Sequence, residues 1–144
     1  MKQQDYQSSF IADVTPEEAF AGINDVRGWW AKNFEGSAQR LDDVFRVDFG
    51  KTWVTFQVSE FIPSQRVTWK VTDCYLHWIN DKKEWNGTSV RFDISKEGNR
   101  TRITMTHIGL APGAECYQDC ENGWNEHFGE SLLKLLTEHA GIPM

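Results

Sequence analysis

Residues 115–139, ECYQDCENGWNEHFGESLLKLLTEH, decide how this chain folds. Tyr117, Cys120, Trp124, Phe128, Leu132, Leu135 and Leu136 recur at helical spacing and share one broad face. Glu126, Glu130, Lys134 and Glu138 mostly lie outside it, and Gly141 and Pro143 follow where a helix stops. The spacing predicts a long amphipathic helix over Glu115–His139. Asn122-Gly123 is a turn signal inside it, which either kinks the helix or moves its start to Trp124. A face this aromatic needs a large apolar partner.

The chain upstream supplies one. Phe45, Val47 and Phe49 alternate with polar neighbours, and so do Val54, Phe56 and Val58 after the turn at Gly50-Lys51. The same period of two returns in Val67, Trp69 and Val71, then Val90, Phe92 and Ile94, then Ile103, Met105 and His107. Five successive strands with one apolar and one polar face predict an antiparallel meander packed on one side only. Tyr6, Ser8 and Phe10 share a phase in a further short strand. Thr15-Pro16-Glu17-Glu18 starts a helix: Thr15 caps it, Pro16 suits its first position and Glu18 completes a capping box. Ala19, Phe20 and Ile23 give its stripe, and a second short helical turn is expected over Val26 to Phe34.

One helix cannot seal the apolar face of a sheet this wide, so the sheet must curl around it. The predicted fold class is α+β, a helix-grip fold. In it a curved antiparallel β-sheet wraps around a long C-terminal α-helix, with two short N-terminal helices. A single domain over residues 1–144 is expected.

Composition narrows the function. Net charge is −6, with no basic run longer than Lys82-Lys83, so no nucleic-acid partner is expected. No stretch approaches a membrane span and the N-terminus has no apolar signal core, so no membrane insertion and a cytoplasmic location are expected. The three cysteines are read as reduced thiols. There is neither a GxSxG elbow nor a phosphate-cradling glycine loop, and no cofactor is expected. Seven Trp, nine Phe and three Tyr are more rings than an ordinary core needs, so some of them are expected to line a space.

Four stretches carry a family resemblance: Gly28-Trp29-Trp30, Glu84-Trp85-Asn86-Gly87-Thr88, Thr106-His107-Ile108-Gly109-Leu110, and Gly123-Trp124 with Ser131-Leu132. With the order of elements, they make the chain resemble the START-like (SRPBCC, birch-pollen-allergen-like) superfamily, and within it the heat-shock-protein-90 ATPase activator homologues. The resemblance implies a hydrophobic cavity between sheet and helix and, for the eukaryotic namesakes, a co-chaperone role. The namesakes' separate chaperone-docking domain is not expected within these residues.

Ligand-contacting residues are expected among Trp29, Trp30, Trp69, Trp85, His107, Tyr117, Trp124 and Phe128. His107 points to the apolar side, either as a ligand's polar anchor or general base, or as a buried imidazole satisfied by a carbonyl or a Trp N–H. Glu84 is a candidate acid, or else an ion-pair partner of Lys82 or Lys83. Cys116, Cys120 and His127 lie along one helix edge and with His107 make four potential zinc ligands, but the spacing lacks the short loops of zinc motifs and no metal is expected. The leading expectation is binding of a small hydrophobic molecule, lipid-like, polyketide-like or flavonoid-like. The alternatives are a co-chaperone or stress-response regulator with a chaperone or other protein partner, and a cyclase or dehydratase.

Overall fold

The computed structural model describes residues 6–110 and 117–143. Strand β1 (Tyr6–Ala12) leads into helices α1 (Pro16–Asn24) and α2 (Val26–Trp29). Strands β2 (Asn33–Gly36), β3 (Val44–Asp48), β4 (Trp53–Ile62), β5 (Arg66–Tyr75), β6 (Ser89–Glu97) and β7 (Arg100–Ile108) come next. The chain ends in a continuous helical rod built from α3 (Tyr117–Glu126), a π-helical segment (His127–Leu132) and α4 (Leu133–Glu138). Glu115 and Cys116, the expected start of the rod, lie outside the described residues.

Among the described residues the strands form one antiparallel sheet in the order β1-β7-β6-β5-β4-β3-β2. Each strand from β2 to β7 pairs with its neighbour in sequence, β5 and β6 across the long 76–88 loop, and β1 closes onto β7, with Tyr6 opposite His107. The inward phases are those the alternation predicts. Val47, Phe56, Trp69, Phe92 and Met105 are completely buried, whereas Arg46, Thr55, Lys70, Arg91 and Thr104 turn outward. Two register shifts between β4 and β5 skip Ser59 and Thr72, and bulges of this kind deepen the twist that curves the sheet around the rod. This is the α+β helix-grip fold.

Thr15 caps α1 reciprocally. Its Oγ1 accepts from Glu18 N and Glu18 Oε1 accepts from Thr15 N, both at 3.1 Å. Helix α1 lies against β6 and β7, α4 against β1, and the π-helical segment against α2 and β1. Ser131 ties the rod both to the end of α2 and to the C-terminal tail: its hydroxyl donates to Trp29 O (2.6 Å) and accepts from Ile142 N (2.7 Å). Gly141 passes so close to Gly28 that a Cβ there would stand 2.0 Å from the Gly28 carbonyl oxygen.

Three expectations need correction. The second helical turn stops at Trp29, and residues 33–36 form an edge strand on β3 instead of extending the helix to Phe34. The rod runs straight through Asn122-Gly123 in α3 and is irregular further on, at the π-helical segment. Cys120, Trp124, Phe128, Leu132 and Leu136 are all buried at a strict spacing of four. In an α-helix each such step drifts about 40° around the axis, so Leu136 would end far from the face that Cys120 occupies. The wider i→i+5 turns absorb that drift and keep the stripe on the sheet. The third concerns the thiols: Cys74 is free and buried, but Cys120 is disulfide-bonded. An odd cysteine count requires one leftover thiol, not that all are reduced.

Candidate functional site

The centre of the space beneath the rod is filled. Trp69 stacks on Trp30 with 6.3 Å between centroids and 2° between planes, and meets Phe45 and Phe92 edge-on at 5.0 and 4.9 Å. Phe128 packs on Phe10 and Phe92 at 4.9 and 6.1 Å. The hollow is displaced to one end, beneath α3. There a cleft of about 270 Å³ lies between α3, the β3–β4 hairpin and the 76–88 loop. Trp30, Phe49, Val54, Leu76, Trp78, Trp85 and Trp124 form its apolar walls, and Thr52, Asp119, Cys120, Gly123 and His127 complete it. Trp78 is 45% exposed and stands at the mouth, whereas Trp30, Trp85 and Trp124 are buried.

A buried polar chain sets two of these walls. Trp124 Nε1–H donates to His107 Nδ1 at 3.1 Å, and the other imidazole nitrogen, Nε2, lies 2.9 Å from Thr88 Oγ1. That hydroxyl donates to Trp85 O at 2.7 Å. Because Nδ1 accepts, the ring proton resides on Nε2, and the direction of every bond in the chain is fixed. The imidazole also meets Trp85 edge-on, 4.6 Å between centroids. Trp85 and Trp124 are thereby held nearly parallel, 6.0 Å apart with 11° between planes.

Burial lowers His107 from the ordinary imidazole value to about 3, so it stays neutral in the folded chain. The unfolded chain takes up this proton near pH 6.5, as a free imidazole does. The folded chain refuses it until about 3. His107 therefore supports the fold fully above pH 6.5, and its contribution declines as pH falls toward 3, by up to about 1.4 kcal/mol per pH unit. Urea midpoints taken between pH 7 and pH 4 are expected to fall accordingly. His127, half-buried in the cleft wall, is also lowered by burial, against a smaller opposing pull from Glu126.

Of the residues expected to contact a ligand, Trp30, Trp85 and Trp124 line the cleft. Trp29, Trp69, His107, Tyr117 and Phe128 do not. Trp29 spends its indole N–H on Ile23 O (3.0 Å), and Trp69 sits amid the central rings. His107 is wholly buried with both nitrogens engaged, and Tyr117 faces Tyr6 at 6.5 Å. Glu84 is outside the lining. The lysines beside it turn elsewhere, Lys83 to Asp73 (2.9 Å) and Lys82 to the carbonyls of His77 and Ile79. Of the four considered zinc ligands, Cys116 lies outside the described residues and Cys120 is disulfide-bonded. Among the described residues no group of three or more His, Cys, Asp or Glu side chains is placed to hold a metal ion.

Phe49, Thr52, Val54, Leu76, Trp78 and Asp119 were not foreseen in this role. They come from strand ends, a loop and the rod, and alternation gives the inward phase but not which end of the face remains uncovered. Among the described residues no helix is long and apolar enough to cross a membrane.

Comparison with known proteins agrees with the fold. The solution structure of the Aha1 dimer from Colwellia psychrerythraea superposes with a TM-score of 0.75 at 18% identity, covering 92% of this chain and 95% of that one. Protein MLL2253 from Mesorhizobium loti gives 0.71 at 14% identity, over 95% of this chain and all of its own (100%). DynU16, from the dynemicin biosynthetic locus, gives 0.67 at 16% identity over 94% of this chain but 48% of its own. No curated protein matches the chain. The family model described as Activator of Hsp90 ATPase homolog 1-like protein matches residues 14–137, and the chain belongs to that family.

Proposed function

We propose that this protein binds a small, flat, largely apolar molecule in the cleft beneath α3. One observation carries the reading: five aromatic rings surround a solvent-open hollow that the rest of this ring-rich core could have closed but does not. The guest gains by burying apolar area against Trp30, Phe49, Trp85 and Trp124, and by ring contacts with them. At about 270 Å³ the cleft is at the small end of ligand pockets, which suits two fused rings or a short acyl chain better than a whole lipid. Thr52, Asp119 and His127 are the polar groups available to orient it. DynU16, of the same fold, comes from the dynemicin biosynthetic locus, so a dynemicin-like compound joins the candidates.

Titration with naphthol-like, flavonoid-like, polyketide-like and medium-chain acyl compounds, read by Trp fluorescence, tests this. Saturable changes with a Kd below about 1 mM are expected for at least one class. No saturable change with any class would remove the reading.

The family's description favours a second reading, a co-chaperone-like role through protein contacts. It is tested by co-purification with an Hsp90-type chaperone and an assay of its ATPase; absence of both complex and stimulation would dismiss it. A cyclase or dehydratase role carried by His107 or Glu84 is not favoured, since His107 is sealed away and Glu84 is outside the cleft lining.

A further inference from the structure

The same cleft bears on the charge of its guest. Elsewhere this protein covers exposed ring faces with its own cations. Arg46 lies 4.4 Å and Lys83 5.0 Å from the Trp53 ring, and Arg27 lies 5.0 Å from Phe34. The cleft differs. Its lining holds five aromatic rings and one carboxylate, Asp119, and among the described residues no Lys or Arg. Lys82 shares the 76–88 loop with Trp78 and Trp85, but its ammonium turns to the carbonyls of His77 and Ile79 and is not part of the lining. The one basic lining residue, His127, is held below the ordinary imidazole range by burial, which disfavours its charged form.

Ring faces carry negative electrostatic potential, and Trp carries the most. Trp124 adds to this, because donating its N–H to His107 shifts electron density into the indole. An anionic guest would meet five aromatic rings and a carboxylate, with no Lys or Arg among the lining residues to compensate. A strongly hydrated primary ammonium would lose its water shell against apolar walls with few acceptors. An alkylated ammonium is weakly hydrated, apolar at its surface and positively charged, and so matches both features of the lining.

We propose that the cleft selects a guest bearing a quaternary or tertiary ammonium, its alkyl groups among Trp30, Trp85 and Trp124 and its charge toward Asp119 at the mouth. The inference rests on the reading of the cleft as a ligand site and adds the sign of the guest's charge.

Benzyltrimethylammonium, its uncharged carbon isostere neopentylbenzene, and benzenesulfonate serve as probes, with the intact chain at pH 7 and low salt. The ammonium is expected to bind at least tenfold tighter than the isostere, and the sulfonate not measurably. Asp119→Asn, an exposed change with no burial to disturb, is expected to reduce the preference several-fold. Added salt should weaken the ammonium alone. Equal or tighter binding of the isostere would overturn the proposal while leaving an apolar ligand site in place. Failure of all three probes, together with the neutral aromatic and acyl compounds, would remove both.

Discussion

Replacing His107 with Ala is expected to lower stability by about 4 kcal/mol and to abolish binding in the cleft. The loss has two sources. Removal of the ring opens a void against Trp85, whose centroid lies 4.6 Å away. It also leaves the Trp124 N–H, now paired at 3.1 Å, without an acceptor in a site closed to water. Trp85 and Trp124 then lose the brace that keeps them parallel, so the cleft walls should loosen even where the fold survives.

His107→Gln separates these effects. A Gln amide can accept from Trp124 and donate to Thr88, and is expected to recover roughly half of the stability. It cannot take up a proton, so the fall in stability from pH 6.5 toward 3 should flatten. If His107→Gln keeps the wild-type acid slope, the imidazole is not the group responsible. If His107→Ala is as stable as wild type, the polar chain is not a brace.

Much of this arrangement is legible in the sequence. Alternation in Val54–Val58 or Ile103–His107 identifies the buried side because only one face of the sheet is covered. The Thr15–Glu18 capping box is equally direct, since both of its bonds are local. Strand β2 escaped because Asn33-Phe34-Glu35-Gly36 offers a single apolar residue, and its pairing with β3 is decided by tertiary contact. The π-helical segment escaped because a stripe at intervals of four reads as an ordinary helix until the accumulated drift is counted.

The site was half legible. Aromatic excess indicates a hollow, and a greasy-face His indicates either a ligand or a satisfied imidazole. Nothing in a linear pattern tells which rings mesh, as Trp29, Trp69 and Phe128 do, and which stop short, as Trp30 and Trp85 do. That depends on where the hairpin and the 76–88 loop leave the rod uncovered.

Filling the hollow from the rod should have the opposite pairing of effects. Gly123 lines the cleft, and a Cβ added there meets nothing within 4 Å. Gly123→Leu places a side chain in the space a guest would occupy. It also replaces a poor helix former within α3, for a gain of up to about 1 kcal/mol. Expected, therefore, are a protein at least as stable as wild type and binding weakened tenfold or more. Few substitutions improve a fold while removing an activity, so the pairing excludes general damage as the cause. Unchanged affinity in a stable Gly123→Leu protein would mean that guests bind somewhere else.

The most direct measurement tracks the indole N–H resonances of the seven Trp side chains during titration with a saturating cleft probe. Trp30, Trp78 and Trp85 are expected to shift in wild type, Trp29 and Trp69 to stay in place, and all of these to stay in place in Gly123→Leu. Shifts confined to Trp53 on the outer face of the sheet, or the same shifts in both proteins, would contradict a guest site beneath α3.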